Sequence, residues 1–155
     1  MNVLAMAAHP DDLEILCAGT LAKYVRAGHR VVMCRAATGD KGHTTIPSDE
    51  LVTMRRREAE EAAAVIGAEP VELGFPDGGV YDDEAARLRF VDAIRRAEPD
   101  LIITHDPGDY MSDHRAVSKL AFDASFMASL PYLVTDNPPI AKIPPIYYMD
   151  TLAGV

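Results

Sequence analysis

The sequence has no tryptophan, two cysteines, and no apolar run close to the ~20 residues that span a bilayer. A membrane-spanning helix is therefore not expected. Cys17 and Cys34 form no CxxC pair and no disulfide framework, so both read as buried small hydrophobes. Basic residues are scarce as well: 15 Lys and Arg stand against 24 Asp and Glu, a formal charge of −9. That balance argues against a nucleic-acid or anionic-membrane partner, since both need a basic patch. Neither GxGxxG nor a P-loop occurs, which disfavours a nicotinamide enzyme and a phosphoester hydrolase alike. No basic leader or cleavage site precedes the apolar run at Val3, so the expected compartment is the cytoplasm.

What is present is a regular alternation of strand and helix patterns, enough for one domain over 1–155. Short apolar runs at Val3–Ala7, Val31–Ala37, Val71–Leu73, Leu101–Thr104 and Ile146–Met149 read as buried strands. Helical patterns fall between them, at about Leu13–Ala27, Glu50–Ile66, Asp83–Ala97 and His114–Ser129; Gly28 and Gly67 stop the first two. Phe75–Gly79 reads as a turn, and the proline-rich Pro131–Pro145 as extended linker or edge. This order implies an α/β fold: a Rossmann-like parallel sheet with helices on both faces, three layers deep. In such sheets ligands bind beyond the carboxyl ends of the strands. The polar clusters His9–Glu14, Thr38–His43, Phe75–Gly78 and His105–His114 each follow a strand, so they should meet on one rim.

Ala8-His9-Pro10-Asp11-Asp12-Leu13-Glu14 has two readings. Asp11 and Glu14 have the spacing of a capping box. Capping explains neither His9, nor Pro10, nor the second aspartate. A metal site explains all of them: imidazole and carboxylate together suit zinc or iron, and an adjacent free carboxylate can act as base. Asp113-His114 likewise reads as a helix cap or as a further ligand, His114, with Asp113 orienting a histidine. Two such clusters on one rim favour the metal reading.

AHPDDLE, the ATGD loop, RRREAEEAAAVIG, LGFPDG and SDHRAV resemble, in order and spacing, the PIG-L/LmbE-type N-deacetylases, over nearly the whole chain. The resemblance implies a Rossmann-like fold and removal of an acetyl group from N-acetylglucosamine-type or other small N-acetylated substrates, with Zn2+ or another divalent metal such as Fe2+. It implies His9, Asp12 and His114 as ligands and Asp11 as general base, with Arg55 and Asp77 contacting substrate or supporting the site. The metal would polarise the acetyl carbonyl and activate water. One position departs from the family pattern. The family's His-x-Asp-His carries Met111 in its first histidine slot here, so the acid or oxyanion role of that histidine does not transfer; Tyr110, His43 and His105 are the candidate donors. A catalytically altered or inactive metal-binding member is the alternative reading. Family members also continue past the point where this sequence ends. A fragment, a cleaved product, and a short form completed by a neighbouring subunit of a homo-oligomer are the three expectations.

Other charged residues have plainer readings. Arg56 with Glu60 and Arg57 with Glu61 have the spacing of helix-surface ion pairs. Arg55 lies beside the apolar stripe of Leu51, Met54, Ala62 and Ile66, and either pairs with Glu58 or binds substrate. Asp77 either accepts turn backbone bonds or binds a sugar hydroxyl, and His43 is either solvated or in contact with ligand.

Overall fold

A computed structural model describes residues 1–151. Strand β1 (Asn2–Ala7) is the centre of a five-stranded sheet. It is flanked by β2 (Arg30–Ala37) and β4 (Leu101–His105), with β3 (Glu69–Phe75) and β5 (Ile146–Met149) at the edges. The order is β3-β2-β1-β4-β5 and every pairing is parallel, for example Leu4 with Val32 on one side and Ile102 on the other. This is the Rossmann-like α/β sheet expected from the alternating pattern.

The period of two along β1 divides the interior. Leu4 and Met6 pack with Val32, Cys34 and Ile102 against Phe90, Val91 and Ile94 of α4 (Glu84–Ala97) and Val117 and Leu120 of α5 (Ser112–Met127). Val3, Ala5 and Ala7 face the other way. They pack with Val31, Met33 and Ile103 against Leu13 of α1 (Asp12–Leu16), Leu21 of α2 (Ala18–Arg26) and Ala63 of α3 (Ser48–Ile66). Burial on both faces is why β1 reads as a continuous apolar run rather than an alternating one. Removing a fully buried ring such as Phe90 costs about 3–5 kcal/mol. No helix of the described residues is long and apolar enough to cross a membrane.

Three expectations change. The first helix is two, broken at Cys17 (φ −143°, ψ 5°), whose N–H closes α1 on Leu13 and whose carbonyl opens α2 by accepting from Leu21. β3 starts earlier than expected and includes Pro70, which an edge strand tolerates because one side of its backbone needs no partner. The proline-rich stretch after α5 contains no strand before β5, yet it is anchored rather than loose. The buried Arg95 donates to the carbonyls of Ala128, Leu130, Leu133 and Asn137 and to Thr135 Oγ1. Asp92 holds Asn137 from the same helix.

In this strand order the connections diverge on either side of β1 and β4. The loops that follow these two strands therefore leave a crevice between them at the carboxyl end of the sheet.

Candidate metal centre

The chain leaving β1 turns sharply at His9-Pro10. The Asp12 N–H points back to the His9 carbonyl at 3.4 Å, and the His9 N–H donates to Asp12 Oδ2 at 2.7 Å. Asp11 occupies the N-cap position of α1 with φ +102°, and its carboxylate makes no cap bond. Asp11 is thus withheld from capping, and the capping-box reading falls. After β4 the chain makes a second turn: Asp109 Oδ1 accepts the Met111 N–H at 2.9 Å, and α5 begins one residue later. Met111, not Asp113, is the N-cap, so Asp113 and His114 lie in the first turn and face the crevice.

His9, Asp12 and His114 come together with their ligand atoms all within 4.8 Å of one another. His114 Nε2 lies 3.4 Å from Asp12 Oδ1, and His9 Nδ1 lies 3.6 Å from Asp12 Oδ2. The outer nitrogens of both rings are occupied. His9 Nε2 pairs with Asp113 Oδ2 at 3.0 Å, 104 residues away in the chain, and His114 Nδ1 with Asp109 Oδ2 at 3.0 Å. Asp113 is fixed in turn by the Gly78 N–H at 2.7 Å. His114 Nε2 is left buried with no hydrogen-bond partner. A buried imidazole nitrogen without a partner, facing a second imidazole and a carboxylate, is a donor set that could hold a divalent metal, and the two aspartates behind the rings orient them as metal-binding histidines are oriented.

His105, Asp109 and His114 form a second possible group. Its geometry is poorer. The His105 and His114 rings are stacked at 3.9 Å and 14°, so their in-plane lone pairs run side by side instead of converging, and His114 Nδ1 is already bonded to Asp109. His105 is a support beneath the site. Its Nε2 accepts the Ala8 N–H at 3.0 Å, which assigns the proton to Nδ1 and leaves Asp12 Oδ2, 3.3 Å away, a through-space neighbour of Nε2.

The charges follow from this packing. Burial works against a charged His9, but Asp12 and Asp113 outweigh it and push its pKa up to about 9. Burial also opposes a charged His114, which Asp12 and Asp109 nonetheless hold above the usual histidine range. Asp12 itself, despite its burial, is held far below the usual carboxylate range by the rings of His114 and His9 and by the His9 N–H. Burial keeps His105 below the usual range, consistent with a neutral ring. The free, buried thiols of Cys17 and Cys34 are pushed up to about 12, chiefly by burial.

His9, Asp12 and His114 open on a cleft of about 550 Å³ that is also lined by Asp11, Arg55, Asp77, Lys41, Tyr110 and Met111. Asp11 is half exposed, its carboxylate bonded to Arg55 at 2.7 Å. Arg55 pairs with Glu58 as well. Asp77 accepts from the backbone N–H groups of Gly39 and Lys41, strapping the loop after β2 to the turn after β3. His43 is exposed, absent from the cleft lining, and its Nδ1 accepts from the Thr45 and Ile46 N–H groups. Of the three candidate donors for the missing histidine, Tyr110 alone lines the cleft, its ring 6.4 Å from that of His114. The expected Arg57–Glu61 pair forms, whereas Arg56 reaches Glu72 of β3 at 2.8 Å instead of Glu60. Asp109 escaped sequence reasoning. The available signal was an acid placed to start an Asx turn five residues before His114.

Comparisons with known proteins bear on the family and the fold. The chain is 26% identical to a mycothiol S-conjugate amidase of Streptomyces coelicolor, over 81% of this chain and 53% of the relative. It is 24% identical to a 4-oxalmesaconate hydratase of Pseudomonas putida, over 96% of this chain and 60% of the relative. The structure of N,N'-diacetylchitobiose deacetylase from Pyrococcus horikoshii superposes with a TM-score of 0.89 at 28% identity, covering 97% of this chain and 60% of that one. The chain thus spans little more than half the length of these relatives. The family model for PIG-L, GlcNAc-PI de-N-acetylase, matches residues 4–125, a stretch that includes His9, Asp12 and His114, and the chain belongs to that family.

Proposed function

We propose that this chain is a single α/β domain that hydrolyses the N-acetyl group of a small N-acetylated substrate of the amino-sugar type, with zinc held by His9, Asp12 and His114. The observation that carries this reading is the buried, unpartnered His114 Nε2 beside His9 and Asp12, opening on a cleft lined by the half-exposed carboxylate of Asp11. A zinc ion held there would supply a Lewis acid for the carbonyl and would lower the pKa of water toward ~7. Asp11 takes the proton of the attacking water and returns it to the nitrogen as the C–N bond breaks, yielding acetate and the free amine. Asp113 and Asp109 hold the two imidazoles in the tautomers that leave Nδ1 of His9 and Nε2 of His114 facing inward. Tyr110 is the donor at hand for the carbonyl oxygen as it gains charge.

A second reading is hydration of a carbon–carbon double bond. It is favoured by Met111, because adding water to a double bond leaves no amine to protonate, and by the likeness to the Pseudomonas putida hydratase. Purified protein loaded with zinc and offered N-acetylglucosamine, its glycosides and N-acetylated disaccharides should release acetate. If it releases none but hydrates an unsaturated dicarboxylate, the second reading replaces the first. If it binds zinc and turns over neither, the chain is an inactive metal-binding member of the family.

A further inference from the structure

Arg55 projects from α3 into the cleft and spends three of its five N–H donors on the protein. Nη2 bonds both the Pro10 carbonyl at 2.9 Å and Asp11 Oδ2 at 2.7 Å, which uses both of its hydrogens. Nη1 bonds Glu58 Oε2 at 2.9 Å. The planar fork is therefore committed to the segment that carries the base, and a bidentate grip on substrate would require it to let go. Asp11 needs such a partner. Its φ of +102° is a conformation that only the surroundings can hold for a residue with a Cβ, and its carboxylate finds no helix N–H.

The route by which Arg55 reaches Asp11 is equally constrained. Gly39, at φ +79°, lies against both partners: a Cβ there would stand 2.9 Å from Pro10 Cγ and 3.0 Å from Arg55 Cγ. Its N–H is bonded to Asp77, and the neighbouring Gly78 N–H is bonded to Asp113 behind His9. The loops after β2 and β3 thus brace the base and the ligand together.

We propose that Arg55 is the positioning residue of Asp11, holding the Pro10-Asp11 peptide and the carboxylate in place, and that Gly39 is the slot this contact requires. The proposal takes Asp11 as the base, as in the reading above. Arg55→Met should keep one zinc per chain and leave KM within about threefold, while kcat falls about 10- to 100-fold, the scale of a misplaced catalytic group. Arg55→Lys should recover part of that loss. Gly39→Ala should reproduce the kcat loss from the other side, again with zinc retained. A rise in KM of tenfold or more at unchanged kcat would make Arg55 a substrate contact instead, and loss of zinc from Arg55→Met would make it a support of the metal site; either result overturns the proposal. Crystals of the zinc-loaded wild type and of Arg55→Met separate this idea from the activity itself. If no amide is hydrolysed, the functional reading fails alone, and the positioning role stands or falls on whether the Asp11 carboxylate shifts when Arg55 is removed.

Discussion

Two buried polar clusters lie toward opposite ends of the sheet, and they are built on different principles. Around Arg95, near the end of α4 where the Ala97 carbonyl receives Asn2 and Arg30, every guanidinium nitrogen finds a carbonyl or hydroxyl oxygen. Around His9, Asp12 and His114 the outer ring nitrogens are equally well served, but the inward-facing Nε2 of His114 is left without a partner. The first cluster closes a loop and has nothing left to offer. The second carries an unsatisfied buried group and a left-handed aspartate, both of which cost stability, and a metal held there would compensate for the first of them.

The sharpest way to break this contrast is His114→Ala. It should abolish zinc binding, read by elemental analysis, and with it the proposed activity; it also strands the carboxylates of Asp12 and Asp109, so the metal-free variant should melt below the wild type. A variant that kept stoichiometric zinc would remove His114 from the ligand set. Next in size, Asp11→Asn should retain zinc and lose about 100- to 10,000-fold in kcat. Full activity in that variant would exclude Asp11 as base.

Arg95→Met should do the reverse. It strands several buried carbonyls and should cost about 3 kcal/mol in urea unfolding, with kcat of the remaining folded protein unchanged. An activity loss at unaltered stability would contradict the division of labour between the two clusters.

The smallest effect is one of pH. His9 in the metal-free protein has its pKa raised to about 9 from 6.5, so its contribution to stability is complete below pH 6.5 and is lost as pH rises through 9. The melting temperature of the metal-free protein should therefore fall by a few degrees between these values. Zinc, which needs the neutral ring, should bind more tightly over the same interval and remove the decline. A flat profile for the metal-free protein would show that Asp12 and Asp113 do not hold a proton on His9.

How much of this was legible in the sequence depends on distance along the chain. The rule that ligand sites follow strand ends was enough to bring His9 and Asp12 to His114, because each cluster is local and the sheet aligns them. Asp113 as a histidine's partner was legible too, though which ring it serves depends on the Gly78 turn that fixes it. Arg95 was not legible, since its acceptors are backbone carbonyls of a loop with no pattern of its own. Nor was the choice of Arg56 for Glu72 over Glu60: helical spacing offers the second, but only the packing of α3 on the β3 edge offers the first. The break at Cys17 hides for a similar reason, because the apolar stripe continues across it while the backbone does not.

The two thiols have a bearing on how the metal can be counted. Cysteine competes for zinc as thiolate, and burial holds both Cys17 and Cys34 in the protonated form up to about pH 12. Neither belongs to a candidate ligand group among the described residues. A folded sample titrated with zinc at neutral pH is therefore free of the usual sulfur background, and thiol reagents that report cysteine accessibility will read unfolding without disturbing the ion. Metal content and structural integrity become separate signals in the same tube.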